Sequence, residues 1–350
     1  MALLAISLLD AFFKKEKETS LFGRWIRLED IVPIILKHEK NTSVKQIGYS
    51  EQQRPIYTIK LGTGKKKILI WSQMHGNEST GTKVIFDLLN TLTRSTAPCI
   101  QKILKECTLQ IIPMLNPDGA EVYTRVNSRK IDLNRDAVNR SAIESKILRN
   151  ALDTFQPDFC FNLHDQRTIF GVQGTKKPAT ISFLAPSEDE ERTVTEGRIQ
   201  TMNVIVAMNN LLQQVIPNAV GRYTDEFYPT ATGDNFQKLG YNTVLIEAGH
   251  YPNDYEREIT RKYHFFALLQ GVYHIAINED YTTYKTYFDI PNNVKNFYDV
   301  VHKHANHQKE TVAYQYEEKI IDNKLVFDLQ KVVEKELKNP LSHNEIVFDL

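Results

Sequence analysis

Residues 65–94 read KKKILIWSQMHGNESTGTKVIFDLLNTLTR. The opening KKKILIW ends in a short apolar run with β-branched residues, which predicts a buried strand. The closing part carries Val84, Ile85, Leu88, Leu89 and Leu92 at the spacing of one helical face. Between them lie His75 and Glu78, separated only by Gly76 and Asn77, which tolerate the backbone angles of a tight loop. A strand–loop–helix unit puts this pair at the carboxyl end of a strand, where open α/β sheets bind their ligands. One loop can aim both side chains at a single ion. An HxxE pair alone is common by chance, however, and on its own is more often an ordinary polar turn than a metal site.

The same alternation runs outward in both directions. SVKQIGYS and PIYTIKLG alternate like paired strands, and TLQIIPML, PDFCFNLH, TISFLAP and NTVLIEAG read as further strands. Helical patterns cover RSAIESKILRNALDTF, residues 188–214 and residues 254–277, the last with Ile259, Tyr263, Phe266 and Gln270 on successive turns. LEDIVPIILKHEK is a helical pattern whose Pro33 is expected near its first turn. Strands alternating with helices imply an α/β fold with a mixed, mostly parallel sheet covered on both faces. The expected division is an N-terminal helical segment over 1–45, a catalytic domain over 46–280, and a small α+β extension over 281–350.

That tail is patterned differently. It holds YTTYKTYFDIP, a polar stretch with His302, His304 and His307 that is read as a helix, and a hairpin turning at Asp322-Asn323. A short charged helix and NEIVFDL close the chain. The three histidines match neither one helical nor one strand face, so they are read as solvent-exposed.

Lys+Arg and Asp+Glu both number 43, and a formal net charge of zero argues against a general nucleic-acid or anionic-membrane binder. No stretch approaches the roughly 18 apolar residues of a membrane span. The start, MALLAISLLDAFFKKEKE, lacks leading basic residues and is interrupted by Asp10, so it is read as an amphipathic helix rather than a secretion signal. Cys99, Cys107 and Cys160 are odd in number and show no CxxC spacing, which suggests a reducing, cytoplasmic setting, with Cys160 in the core.

Two more strands end in chemistry: FCFNL at His164 and TVLIE at Glu247. Two histidines and a carboxylate with one position left open are the usual protein ligands of a hydrolytic zinc centre. A further carboxylate off the metal is the general base such a centre needs.

The ordered series HGNE (75–78), NPDG (116–119), Arg125 in TRVN, DLNRD (132–136), NLHD (162–165) and IEAG (246–249) resembles the zinc metallocarboxypeptidases related to pancreatic carboxypeptidase A. The resemblance runs from about residue 68 to 249 and leaves the tail uncovered. It implies one zinc ion held by His75, Glu78 and His164, with Asp132 orienting His75. It gives Arg125 the stabilisation of the oxyanion, and Asn134 and Arg135 the grip on a free C-terminal carboxylate. Glu247 would take a proton from the metal-activated water and deliver it to the leaving amine. The family's mobile tyrosine is matched better by Tyr228, 19 residues before Glu247, than by Tyr223, and the specificity pocket falls near Gly233, Asp234 and Asn235. Arg167 in HDQRT is left between a substrate contact and a structural ion pair.

The expected activity is zinc-dependent hydrolysis of the C-terminal peptide bond of a peptide. The alternative is an amidohydrolase of N-acyl amino acids, like aspartoacylase and succinylglutamate desuccinylase, whose branch shares the fold and similar HGNE, DLNR and IE strings. NPDG and Tyr228 favour the peptidase. A non-catalytic relative would be expected to lack one of His75, Glu78, His164 and Glu247, and all four are present.

Overall fold

The structure is a computed structural model describing residues 1–304, 311–332 and 340–348. Its first nine strands are β1 (Ser43–Tyr49), β2 (Pro55–Leu61), β3 (Lys66–Ser72), β4 (Cys107–Ile112), β5 (Phe159–Asp165), β6 (Phe170–Val172), β7 (Ile181–Leu184), β8 (Val220–Arg222) and β9 (Asn242–Ala248). All but β6 join one eight-stranded sheet in the order β1-β2-β4-β3-β5-β9-β7-β8. Neighbours from β4 to β9 run parallel, as do β7 and β8, whereas β1, β2 and the β7–β9 pairing introduce antiparallel contacts. The expected mixed, mostly parallel α/β architecture is therefore correct.

Nine helices among the described residues accompany these strands: α1 (Ile6–Glu16), α2 (Leu28–His38), α3 (Thr80–Arg94), α4 (Pro98–Glu106), α5 (Pro117–Glu121), α6 (Ile143–Phe155), α7 (Glu196–Leu212), α8 (Thr232–Lys238) and α9 (Glu258–Ile277). Strand side chains alternate between the two faces of a sheet. Ile68, Ile70, Phe161 and Val244 accordingly pack in a large core with α3, α4, α7 and α9. Leu69, Trp71 and Cys160 point the other way, into a smaller core with α6 and Phe236 of α8. A sheet buried on both faces needs near-continuous apolar strands. That requirement explains ILIW and FCFNL.

Several boundaries differ from the periodicity. The helix expected over 188–214 begins at Glu196, where the Thr195 hydroxyl accepts from Arg198 N at 3.2 Å and caps it. The one expected from 254 begins at Glu258, and the Asp254 carboxylate accepts from the N–H groups of Glu258 and Thr260 at 2.8 Å each. Pro33 lies in the second turn of α2, because that helix already starts at Leu28. Among the described residues, no helix is long and apolar enough to cross a membrane.

The tail carries a correction. The expected His-bearing helix is instead the strand β11 (Phe297–His304), preceded by the short β10 (Asn293–Lys295), which pairs antiparallel with β6. β11 is held antiparallel by β12 (Val312–Ile321) and parallel by β14 (Leu341–Phe348), while β13 (Lys324–Lys331) completes a sheet in the order β13-β12-β11-β14. Pairing on both sides overrides the weak local pattern, with Phe297, Val300 and Val301 buried. Asp322 and Asn323, at φ 49° and 57°, make the β12–β13 turn expected from the sequence. His302 is half-buried against the Tyr314 ring, not fully exposed. The side chain of His304, His307 and the charged segment over 333–339 lie outside the described residues.

Candidate metal centre

β3, β5 and β9 are neighbours, and the register sets His164 beside Glu247. The three strand endings singled out in the sequence therefore open at one edge of the sheet. The loop after β3 is fixed from several directions. Asn116 accepts from Gly119 N at 2.8 Å and donates to Met74 O at 3.2 Å, tying the NPDG turn to the residue before His75. A Cβ on Gly76 would lie 2.0 Å from the Gly119 carbonyl carbon, so only glycine fits where these two loops cross. Gln73, at φ 50°, donates to both Gly76 O and Ile26 O at 2.8 Å.

His75 Nδ1 lies 2.8 Å from Glu78 Oε1, and His164 Nδ1 lies 2.8 Å from Glu78 Oε2. The two Nδ1 atoms are 3.2 Å apart. Tetrahedral zinc with bonds near 2.1 Å holds its ligand atoms about 3.4 Å apart. His75, Glu78 and His164 offer ligand atoms that all fall within 4.8 Å of one another, and the three residues are buried or nearly so. The donor set thus fits one zinc ion by identity, number and convergence. Behind it, Asp132 Oδ1 lies 3.0 Å from His75 Nε2, which fixes Nδ1 as the nitrogen facing inward.

The charges are strongly interdependent. Burial opposes charge on Glu78, but His75 and His164 outweigh it and hold the carboxylate well below its usual range. Burial likewise opposes protonation of His75, yet Glu78 and Asp132 raise its pKa. For His164 burial prevails and the pKa falls. Glu247 is pushed well above the carboxylate range by burial, then by Glu78 and Asp165.

A cavity of about 310 Å³ opens over this centre. Arg125 lines it, its Nε donating to Asp132 Oδ2 at 3.0 Å and its Nη1 to Glu78 Oε1 at 3.3 Å. Asn134 and Arg135 line it too; Asn134 Oδ1 accepts from Thr232 N at 3.1 Å, and Arg135 has no carboxylate partner among the described residues. Tyr228 stands at the rim, 49% exposed, with its ring 6.0 Å from the Arg135 guanidinium. Tyr223 also lines the cavity but is half-buried beside Glu247, which with burial raises its pKa. Gly233 and Asp234 contribute to the wall, and burial lifts the Asp234 carboxyl to about 6.

Two residues that sequence reasoning passed over support the centre. Asp165 accepts from Thr80 Oγ1 at 2.8 Å, and Arg257 pairs with Asp165 at 3.5 Å. Asp165 was signalled by its place after His164; Arg257, 92 residues further on, had no local signal.

Fold and site together place a His–Glu–His group that fits a zinc site at the carboxyl edge of a mixed α/β sheet. The chain belongs to the zinc carboxypeptidase family, whose profile matches residues 33–332. A metallo-carboxypeptidase from Burkholderia cenocepacia superposes with a TM-score of 0.57 at 19% identity, covering 71% of this chain and 69% of that one. Carboxypeptidase A from Helicoverpa armigera gives 0.58 at 15% identity, over 77% and 78%. Carboxypeptidase 2 of Trichophyton rubrum is 26% identical over 102 residues, 29% of this chain and 19% of that protein. The chain thus spans about a fifth of the length of the fungal relatives it matches. The N-acyl amino acid hydrolase alternative finds no support in these likenesses.

Proposed function

We propose that this protein is a zinc-dependent carboxypeptidase that hydrolyses the C-terminal peptide bond of a peptide. The observation that carries the reading is the convergence of His75 Nδ1, His164 Nδ1 and the Glu78 carboxylate in a cavity that also holds Glu247, Arg125, Asn134 and Arg135. Zinc held there supplies a Lewis acid that acidifies water and polarises a carbonyl.

The chain's own groups divide the remaining work. Arg135, which has no carboxylate partner among the described residues, offers a planar fork suited to a terminal carboxylate, and Asn134 stands beside it on the same turn. A free C-terminus gripped there lays the last peptide bond across the metal centre. Arg125 is a permanent cation beside Glu78, where negative charge develops on the carbonyl oxygen. Glu247, opposite His164 in the register and lining the cavity, takes the proton of the attacking water and hands it to the leaving amine. Tyr228, exposed at the rim, closes over the bound residue. Unpaired Cys99, Cys107 and Cys160 support the reading of a reducing, cytoplasmic setting.

Glu247→Gln is the direct test. It is expected to lower kcat by about 10³-fold or more while one zinc per chain is retained by elemental analysis. Full turnover in a zinc-replete Glu247→Gln protein would remove the assigned role. Wild-type protein that releases no residue from any member of a peptide library would remove the function.

A further inference from the structure

A second cavity, of about 600 Å³, adjoins the first, and Glu78, Arg125, Asp165, Gln166 and Arg167 line both. Its far wall comes from the C-terminal sheet, through Gln315, Tyr316, Glu317 and Gln330 of β12 and β13. That wall is firmly attached. Glu318 pairs with buried Arg24 and accepts from the Tyr123 hydroxyl at 2.6 Å. Tyr255 donates to Asp299 at 3.0 Å, and its ring meets those of Tyr316 and Phe327 edge-on.

The segment 165–168 between the two cavities is equally constrained. Gln166 N donates to Ala248 O at 2.8 Å, and Arg257 Nη2 donates to Gln166 O at 2.6 Å. Thr168 donates to Asp299 at 3.1 Å, and its carbonyl meets His343 Nε2 at 2.9 Å. Arg167 sits in the middle of this clamped stretch. It is exposed, and its side chain makes no hydrogen bond or ion pair among the described residues. The other charges around the second cavity have partners: Arg24 with Glu318, Arg257 with Asp165, Arg125 with Glu78 and Asp132, and Glu317 with Lys319 at 2.8 Å. One uncommitted positive charge therefore stands on a rigid backbone where the two cavities meet.

We propose that the second cavity binds the peptide segment preceding the scissile bond, and that Arg167 selects an acidic side chain there. The inference rests on the carboxypeptidase reading. With the terminal residue gripped by Asn134 and Arg135, the chain leaves the metal centre past Glu78 and Arg125, and the second cavity is what it enters. The Tyr316 hydroxyl on the cavity wall suits an extended backbone rich in hydrogen-bonding groups, and a cation held in place in advance loses little freedom on binding a carboxylate.

The test uses full-length, zinc-loaded protein carrying Glu247→Gln, so that peptides bind without being consumed. Fluorescein-labelled hexapeptides share one sequence except for Glu, Gln or Lys at the two positions before the C-terminal residue. Fluorescence anisotropy is expected to rank Glu over Gln over Lys, with Glu and Lys about tenfold apart. Adding Arg167→Glu is expected to invert that order, and a labelled dipeptide with the same terminus is expected to bind about tenfold more weakly than the best hexapeptide. Equal or unmeasurable affinities for the three hexapeptides, or an order that survives Arg167→Glu, overturns the proposal. Release of the terminal residue from the same peptides by wild-type protein is read separately, and its failure counts against the carboxypeptidase reading while the binding order still decides the role of Arg167.

Discussion

The central sheet and the C-terminal sheet meet at one cleft but are stabilised differently. In the central sheet, β5 and β9 are buried almost throughout, and His164 and Glu247 stand near their carboxyl ends. In the C-terminal sheet, β12 and β13 are half-exposed along their length, and buried Asp299 with half-buried Glu318 and His343 join the sheet to the rest of the chain. The first sheet holds together by apolar burial and frees its ends for chemistry. The second depends on charged and aromatic contacts across a seam, so conditions that disturb buried polar groups should separate the two.

Acid is the strongest such condition, and it acts on both sides, since His264 and His274 lie on α9 against the central sheet. Burial depresses His264 to about 3 and His274 to about 4; burial, then His343 and Arg257, depresses seam residue His250 to about 2. The unfolded chain protonates these rings near pH 6.5, whereas the folded chain resists until far lower. Below pH 6.5 the unfolded state therefore binds more protons, and stability present at neutral pH is lost as pH falls. Each ring costs about 1.4 kcal/mol per pH unit in that window. Urea unfolding at pH 7.5, 6 and 5 should show a steep fall in midpoint; a flat profile would mean that the folded chain charges these rings freely.

Glu318→Ala should come next in size. It leaves Arg24 buried without its carboxylate and removes the acceptor of the Tyr123 hydroxyl. Breaking one side of a buried pair costs about 3–5 kcal/mol. Loss should begin at the seam, so hydrogen exchange should quicken in β12 and β13 ahead of β3 and β5. A uniform change across both sheets would show that the two unfold as one unit.

This contrast also governs what could be read from the sequence. ILIW and FCFNL announced themselves because strands covered on both faces have little choice of composition. His75, Glu78, His164 and Glu247 were legible because each follows such a run. FYDVVHKH reads as helix from sequence because its strand state depends on β12 and β14, one of them some 40 residues away, and its period-two pattern is blurred by adjacent buried Val300 and Val301. Arg257 was invisible for the same reason, since its partner Asp165 is reached only through the fold.

The smallest expected effect tests how far the central site depends on its own neighbours. Asp132 sits behind His75, accepts from Arg125 Nε at 3.0 Å and from Asn134 N at 2.9 Å, and so holds three site residues through one carboxylate. Asp132→Ala keeps every proposed zinc ligand but frees His75 to rotate or change tautomer. Zinc affinity, measured by competition with a chromophoric chelator, should fall about 10–100-fold. Asp132→Asn keeps the shape but cannot stabilise a charged or strongly donating His75, so it should fall between wild type and Asp132→Ala. If both variants bind zinc like wild type, the loop crossing at Gly76 and Gly119 alone sets the position of His75. The centre would then owe its geometry to backbone packing of the kind that builds the central sheet, and its hydrogen-bonded shell would serve the substrate instead of the metal.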